Sequence, residues 1–316
     1  MNTAGRLSAY GVALVLVAGG AWGIGSAVGP LADSTESAPT AMAEHGENDA
    51  ESTEAAHGEE EAGHGDTHSD PVAEADLDQP AGLASSRGGY TLTPTSTMLT
   101  PGATTPFSFR ITGPDNAPVT AFDVEHEKQM HLIVVRRDTA GFQHVHPVMA
   151  PDGTWSIPFD PGAPGSYRAF ADFKPTGGEA VTLGVDLSAP GDFQPRTFTE
   201  SETFAVDGYE VSLHGHLDAG TTAELTLTVS KDGKPVTDLE PYLGAYGHLV
   251  ALRGGDLAYL HVHPEGTPGD GVTPAGPDVT FFAEVPTAGS YRLFLDFQHG
   301  GVVRTAEFTL TAEAHS

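Results

Sequence analysis

The sequence predicts an all-β protein: two tandem immunoglobulin-like Greek-key β-sandwiches, preceded by an N-terminal transmembrane helix and a disordered acidic linker. Three observations carry this reading. From Gly89 onward the chain is one pattern written twice. Within each copy, short runs rich in β-formers alternate with clusters of Gly, Pro, Asp and Asn. Ahead of the first copy lie an uncharged apolar stretch and then an acidic run, neither suited to a packed core. A length of 316 residues accommodates about two domains.

Residues 1–31 are expected to form a membrane anchor or signal segment. No charged residue occurs from Leu7 to Leu31, a span long enough to cross a bilayer. Arg6 precedes it and Asp33 follows, so the remainder is expected on the extracytoplasmic side. A cleaved signal peptide, with Ala41-Met42-Ala43 as a cleavage site, is the competing reading and would make the protein secreted.

Residues 32–88 read as a disordered linker. They hold fifteen Asp and Glu, a single Arg87 and no aromatic residue, too little apolar surface to offset the entropy of ordering. His45, His57, His64 and His68 lie among these carboxylates and suit loose capture of metal ions.

Residues 89–200 and 201–316 are expected to be β-sandwich domains 1 and 2. Pro118-Val-Thr returns as Pro235-Val-Thr, and Met130-His131-Leu132 as Gly247-His248-Leu249. Phe142-Gln-His144-Val-His146-Pro returns as Tyr259-Leu-His261-Val-His263-Pro. Gly165-Ser-Tyr167-Arg with Phe170 and Asp172 returns as Gly289-Ser-Tyr291-Arg with Phe294 and Asp296. The spacing from the first to the second histidine is conserved between the copies, which marks a tandem duplication. Expected strands in the first copy are 106–112, 131–136, 142–146, 154–159, 166–173 and 180–187. The approaches to Tyr167 and Tyr291 suggest the corner at which sandwich domains place a tyrosine.

Composition narrows the function. A net charge of −29, from 43 acidic and 14 basic residues, argues against nucleic acid and against an anionic membrane surface. With no cysteine there are no disulfides, thiolate sites or cysteine nucleophiles. No Ser-His-Asp constellation, nucleotide loop or HExxH motif is evident, so a binding protein is expected rather than an enzyme. A hydrolase or oxidase using a metal with an open position is a minor alternative.

Fifteen histidines outnumber Lys and Arg together. His144 and His146 share one face of a strand, with Cα atoms about 7 Å apart. If the turn after the preceding strand has even length, His131 pairs opposite one of them and all three converge. The same arithmetic applies to His248, His261 and His263, giving one three-His site per copy. Three imidazoles and a fourth donor suit copper or zinc. Asp172 and Asp296 are candidate fourth ligands, on condition that the histidines line the sheet face away from Tyr167 and Tyr291. Met130 is a candidate soft ligand in the first copy, replaced by Gly247 in the second. His126, the pair His214 and His216, His299 and His315 are expected to be exposed.

On His131, His144-Val-His146-Pro and Gly165-Ser-Tyr with their second copies, the repeat resembles YtkA-like domains and is more distantly similar to CopC-like copper-binding β-sandwiches. The resemblance covers about 220 residues and implies an extracytoplasmic location and an immunoglobulin-like fold; the CopC likeness implies copper binding. CopC-like proteins use a histidine at the mature N-terminus, which has no counterpart beside either copy, so their copper geometry does not carry over. The expected partners are transition-metal ions, the membrane through the N-terminal helix, and a membrane protein. The alternative function is a metal-free immunoglobulin-like interaction or adhesion ectodomain.

Overall fold

The computed structural model describes residues 80–314, all of which belong to one compact unit. The membrane segment, most of the acidic linker and His315 lie outside the described residues. No helix occurs among the described residues, and none is long and apolar enough to cross a membrane.

The first repeat contains β1 (Ser86–Arg87), β2 (Tyr90–Pro94), β3 (Thr105–Thr112), β4 (His131–Arg136), β5 (Gln143–Val145), β6 (Val148–Met149), β7 (Thr154–Phe159), β8 (Gly165–Phe173) and β9 (Val181–Ala189). They form two sheets, ordered β1-β2-β3-β7-β6 and β5-β4-β8-β9. The second contains β10 (Thr203–Val206), β11 (Tyr209–His214), β12 (Leu217–Asp218), β13 (Thr221–Lys231), β14 (Lys234–Pro235), β15 (His248–Arg253), β16 (Val262–Pro264), β17 (Asp278–Val285), β18 (Gly289–His299) and β19 (Val302–Glu313). Its sheets run β10-β11-β13-β17-β16, with β14 on β13, and β12-β19-β18-β15. The non-sequential neighbours, β3 beside β7 and β4 beside β8, are Greek-key crossovers.

Alternation along the strands fills each sandwich. Phe109, Ile111, Leu132, Val134, Trp155 and Tyr167 meet in the first core, and Val211, Leu225, Leu249, Phe281, Tyr291 and Phe308 in the second. Tyr167 is anchored through its hydroxyl, 2.7 Å from the Ala163 carbonyl oxygen. Tyr291 likewise donates to the Thr287 carbonyl oxygen at 2.7 Å. These are the two expected tyrosine corners.

Strands β4, β8, β15 and β18 of the four-stranded sheets are buried on both faces along most of their length. All six residues of β4, His-Leu-Ile-Val-Val-Arg, are buried. Leu132 and Val134 face inward, while Ile133 and Val135 join Phe170 in a third apolar cluster. That cluster is completed by Val250, Leu252, Leu257 and Phe294 of the second repeat. Phe142 lies flat on Phe294, with ring centroids 4.0 Å apart, and Phe170 packs on Tyr259. In the repeat pattern Phe142 corresponds to Tyr259 and Phe170 to Phe294, so the pairs are reciprocal, as in an isologous dimer.

The end of the expected linker is ordered. Residues 80–88 run along the folded body, and Ser86–Arg87 form β1 on β2. Arg168 donates to the Gly82 carbonyl oxygen through Nε at 2.9 Å, and the Tyr259 N–H donates to Ala81 O at 3.0 Å. This strap therefore touches both repeats. It requires glycine at position 82, where φ is +74° and a Cβ would lie 2.6 Å from the Phe170 ring. Its backbone is ordered by hydrogen bonds, a gain that the charge and composition of the segment do not register.

Because the third cluster joins the repeats, urea unfolding should show one cooperative transition. Phe294→Ala empties a site in that cluster and should lower stability by about 3–5 kcal/mol. Loss of less than about 1 kcal/mol would mean that the repeats are held together by something else.

Candidate metal centre

The β4–β5 register decides whether the first three histidines meet. Leu132 pairs with Val145 and Ile133 with His144. His144 therefore shares a face with Ile133 and His131, and His146 follows two residues on. Their ring centroids are 5.3 Å apart for His131 and His144, 5.0 Å for His131 and His146, and 4.9 Å for His144 and His146. One ligand nitrogen from each lies within 4.8 Å of the other two. The face is the outer one, shared with Ile133 and turned toward the second repeat.

Hydrogen bonding fixes the tautomers. His131 Nε2 is 3.1 Å from the Glu125 carbonyl oxygen, which can only accept, so Nε2 carries the proton and Nδ1 is bare. His144 Nδ1 is 2.8 Å from Asp296 Oδ2, so Nδ1 carries the proton and Nε2 is bare. The two bare nitrogens face each other at 3.1 Å. Two lone pairs so placed need a shared proton or a cation between them. His146 Nε2 is buried with no hydrogen-bond partner. Two bare nitrogens thus meet, and the buried, unpartnered His146 Nε2 belongs to the same trio of rings.

Asp296 belongs to the second repeat, and its other carboxylate oxygen accepts from Thr305 Oγ1 at 2.6 Å. The His144–Asp296 side chains are only 1% and 4% exposed. A carboxylate holding the far nitrogen of an imidazole orients it for metal binding. Asp296, expected as a ligand in the second repeat, instead has both carboxylate oxygens engaged in hydrogen bonds, one of them to His144. Asp172, expected as a ligand in the first repeat, shares the outer face by pairing with His131. Its carboxylate accepts from Thr182 Oγ1 at 2.8 Å, and burial pushes its pKa up. Met130 is buried in the first sandwich core, on the other side of β4 from His131, and is not a ligand.

The second expected trio does not assemble. His248, the copy of His131, stacks on His131 with centroids 5.7 Å apart and planes 3° apart, and its ring is 4.8 Å from that of His144. It has joined the first repeat's cluster, because the reciprocal docking brings the outer faces of β4 and β15 together. His261 and His263 are elsewhere. After the Leu260 N–H bond to Ala251 O, the chain leaves β15 and β16 pairs with β17, His263 opposite Phe282. In the first repeat the strand stays on β4 through Val145 and changes sheet only at Val148. The sequence kept its spacing while the crossover point moved. Among the described residues, one three-His cluster is present.

A family model described as a domain of unknown function, DUF8832, matches residues 84–191 and again 204–314. The chain belongs to the DUF8832 family. No curated protein matches the sequence. Among solved structures, the chain is similar to the Escherichia coli adhesin FdeC at 17% identity, over 75% of this chain and 66% of that one, with a TM-score of 0.23. A putative membrane-anchored protein from Corynebacterium diphtheriae matches at 10% identity, over 72% and 59%, with a TM-score of 0.21. A chimeric titin Z1Z2 matches at 13% identity, over 71% and 97%, with a TM-score of 0.18. The matched part spans less than two thirds of the adhesin and corynebacterial chains. Likeness of this order carries no argument about function.

Other histidines of the DUF8832 repeats fall as follows. His214 and His216 are exposed, as expected. His299 is half-buried instead, with Nδ1 2.7 Å from the Tyr209 hydroxyl and Nε2 3.1 Å from Asp238, because its hairpin folds back over β11. His126 is exposed but sits beside the cluster, its ring 5.8 Å from His248 and 6.1 Å from His131. It occupies a turn closed by mutual Glu125–Lys128 hydrogen bonds. The sequence contained one clue to the shared arrangement: β4 and β15 are apolar on both faces.

The centre favours neutral imidazoles. Burial pushes His131 down to about 4 and His146 down to about 3, in both cases with the charge of His144 adding to it. An unfolded histidine titrates near 6.5. Between that value and about 3 to 4 the unfolded chain binds protons that the folded one refuses, so stability falls with acid. The metal-free protein should therefore have a lower urea midpoint at pH 5 than at pH 7, and His146→Gln should narrow the difference. An equal midpoint at both pH values would contradict the buried neutral cluster.

Proposed function

We propose that this protein binds one transition-metal ion, copper or zinc, at His131, His144 and His146, with the ring of His248 from the second repeat beside them, 4.8 Å from that of His144. The observation that supports this most is the trio itself: His131 Nδ1 and His144 Nε2 face each other at 3.1 Å, and His146 Nε2 is buried without a partner. Imidazole nitrogens are borderline donors that suit zinc and copper, and a three- or four-nitrogen set suits either ion. Asp296 would raise the basicity of His144 and hold its ring.

The wider reading places the protein at the cell surface: anchored by residues 1–31, with both repeats extracytoplasmic, and binding rather than transforming its ligand. The uncharged stretch from Leu7 to Leu31 supports export. Similarity of the repeat to YtkA-like and, more distantly, CopC-like domains belongs to the same proposal. The acidic histidine-bearing linker would raise the local cation concentration.

A metal-free interaction ectodomain is favoured by one observation: the His144–Asp296 bond ties the repeats together, so the cluster could serve as a brace. His146 separates the two readings, since its Nε2 makes no hydrogen bond to lose. Equilibrium dialysis of the full chain against Zn(II) or Cu(II) should show one tight equivalent that His146→Ala weakens at least about tenfold, and Asp296→Asn by about 10–100-fold. Parent-like affinity in His146→Ala, with the fold intact, would leave the brace as the function of the cluster.

A further inference from the structure

Between the repeats runs a cleft of about 650 Å³, lined at different points by His126, His131, His248, His261 and His263. The inner histidines belong to the centre described above. The outer pair does not. His261 and His263 are exposed, and their rings stand 4.1 Å apart at 87°. The pairing of Val262 with Ala283 and His263 with Phe282 sets Glu284 opposite His261, on the same face. Its N–H donates to the His261 carbonyl oxygen at 3.0 Å, which pins that register. Glu284 is itself exposed. His261 and His263 line the cleft, and Glu284 stands beside them on the same strand face, just outside its lining.

We propose that His261, His263 and Glu284 form an open capture site for a divalent borderline cation, Cu(II) or Zn(II), that passes it inward to the buried centre. This rests on the metal-binding reading of His131, His144 and His146. The chemistry is ligand exchange alone: each incoming imidazole nitrogen displaces a water or an outgoing ligand, with no change of oxidation state. His131 is 4% exposed, so an ion entering directly would shed most of its hydration before gaining protein ligands. The outer pair removes that difficulty by replacing water in stages. His126, exposed and 5.8 Å from the His248 ring, lines the same cleft. Transfer runs downhill because the inner site offers more nitrogens, held by Asp296 and the Glu125 carbonyl, while the outer one is exposed to water.

The test uses the full chain and Cu(II), comparing the parent with His261→Ala/His263→Ala and with His146→Ala. Electron paramagnetic resonance counts distinct copper environments, and stopped-flow absorbance follows filling of the inner one. Linker histidines are common to all three proteins and cancel in the differences. The double variant should lose one weakly bound copper and fill the inner site at least about tenfold more slowly, with inner affinity unchanged within about twofold. Unchanged stoichiometry and rate in that variant overturns the proposal. Loss of the weak copper with unchanged inner filling overturns the hand-over. His146→Ala reports separately: if its inner copper affinity stays within about twofold of the parent's, the inner reading fails, whatever the outer variant shows.

Discussion

The carboxylate of Asp296 lies 2.8 Å from His144 Nδ1, although 152 positions separate them, and both side chains are almost wholly shielded from water. A buried carboxylate is costly unless hydrogen-bonded, and this one is satisfied only by Thr305 on its own hairpin and His144 of the other repeat. That contact fixes the tautomer of His144. It thereby sets which nitrogen points at His131, and converts a face of apolar residues and histidines into a set of aimed lone pairs. Separating the repeats would strand Asp296, free the His144 ring and expose Phe142, Phe170 and Phe294.

The site follows from how a duplicated sandwich hides its second face. A lone sheet presents one face to its core and the other to water. Here the outer faces of β4, β8, β15 and β18 carry Ile133, Phe170, Val250 and Phe294, and they have each other as cover. Reciprocal packing places residues of equal rank opposite one another: His131 against His248, and Phe142 on Phe294 as Tyr259 is on Phe170. The symmetry is then broken by β16, which pairs with β17 while its counterpart β5 stays on β4. The interface gains a closed cluster and, opening beside it, a cleft.

Strand placement and tyrosine corners were legible in the sequence, because alternation and turn residues are local signals. The parity of His131 with His144 and His146 was also legible, since it depends only on loop length. What escaped was everything set by the partner repeat. Asp296 read as a ligand because its contact with His144 is long-range. His248 read as a member of a separate trio because the docking that moves it beside His131 leaves no mark at its own position. The fate of His261 and His263 turned on which neighbouring strand β16 chose, a competition between β15 and β17 that spacing does not encode. The continuous apolar runs in β4 and β15 were the visible trace of a covered outer face.

The direct measurement is the position of a bound ion. A crystal of the protein loaded with one equivalent of zinc or copper, with anomalous data collected at that metal's absorption edge, should show its strongest peak among His131 Nδ1, His144 Nε2 and His146 Nε2. Imidazole-to-metal distances should be near 2.0–2.1 Å. An empty space between those rings, with metal elsewhere or absent, would contradict the account and leave the histidines as a brace between two sandwiches.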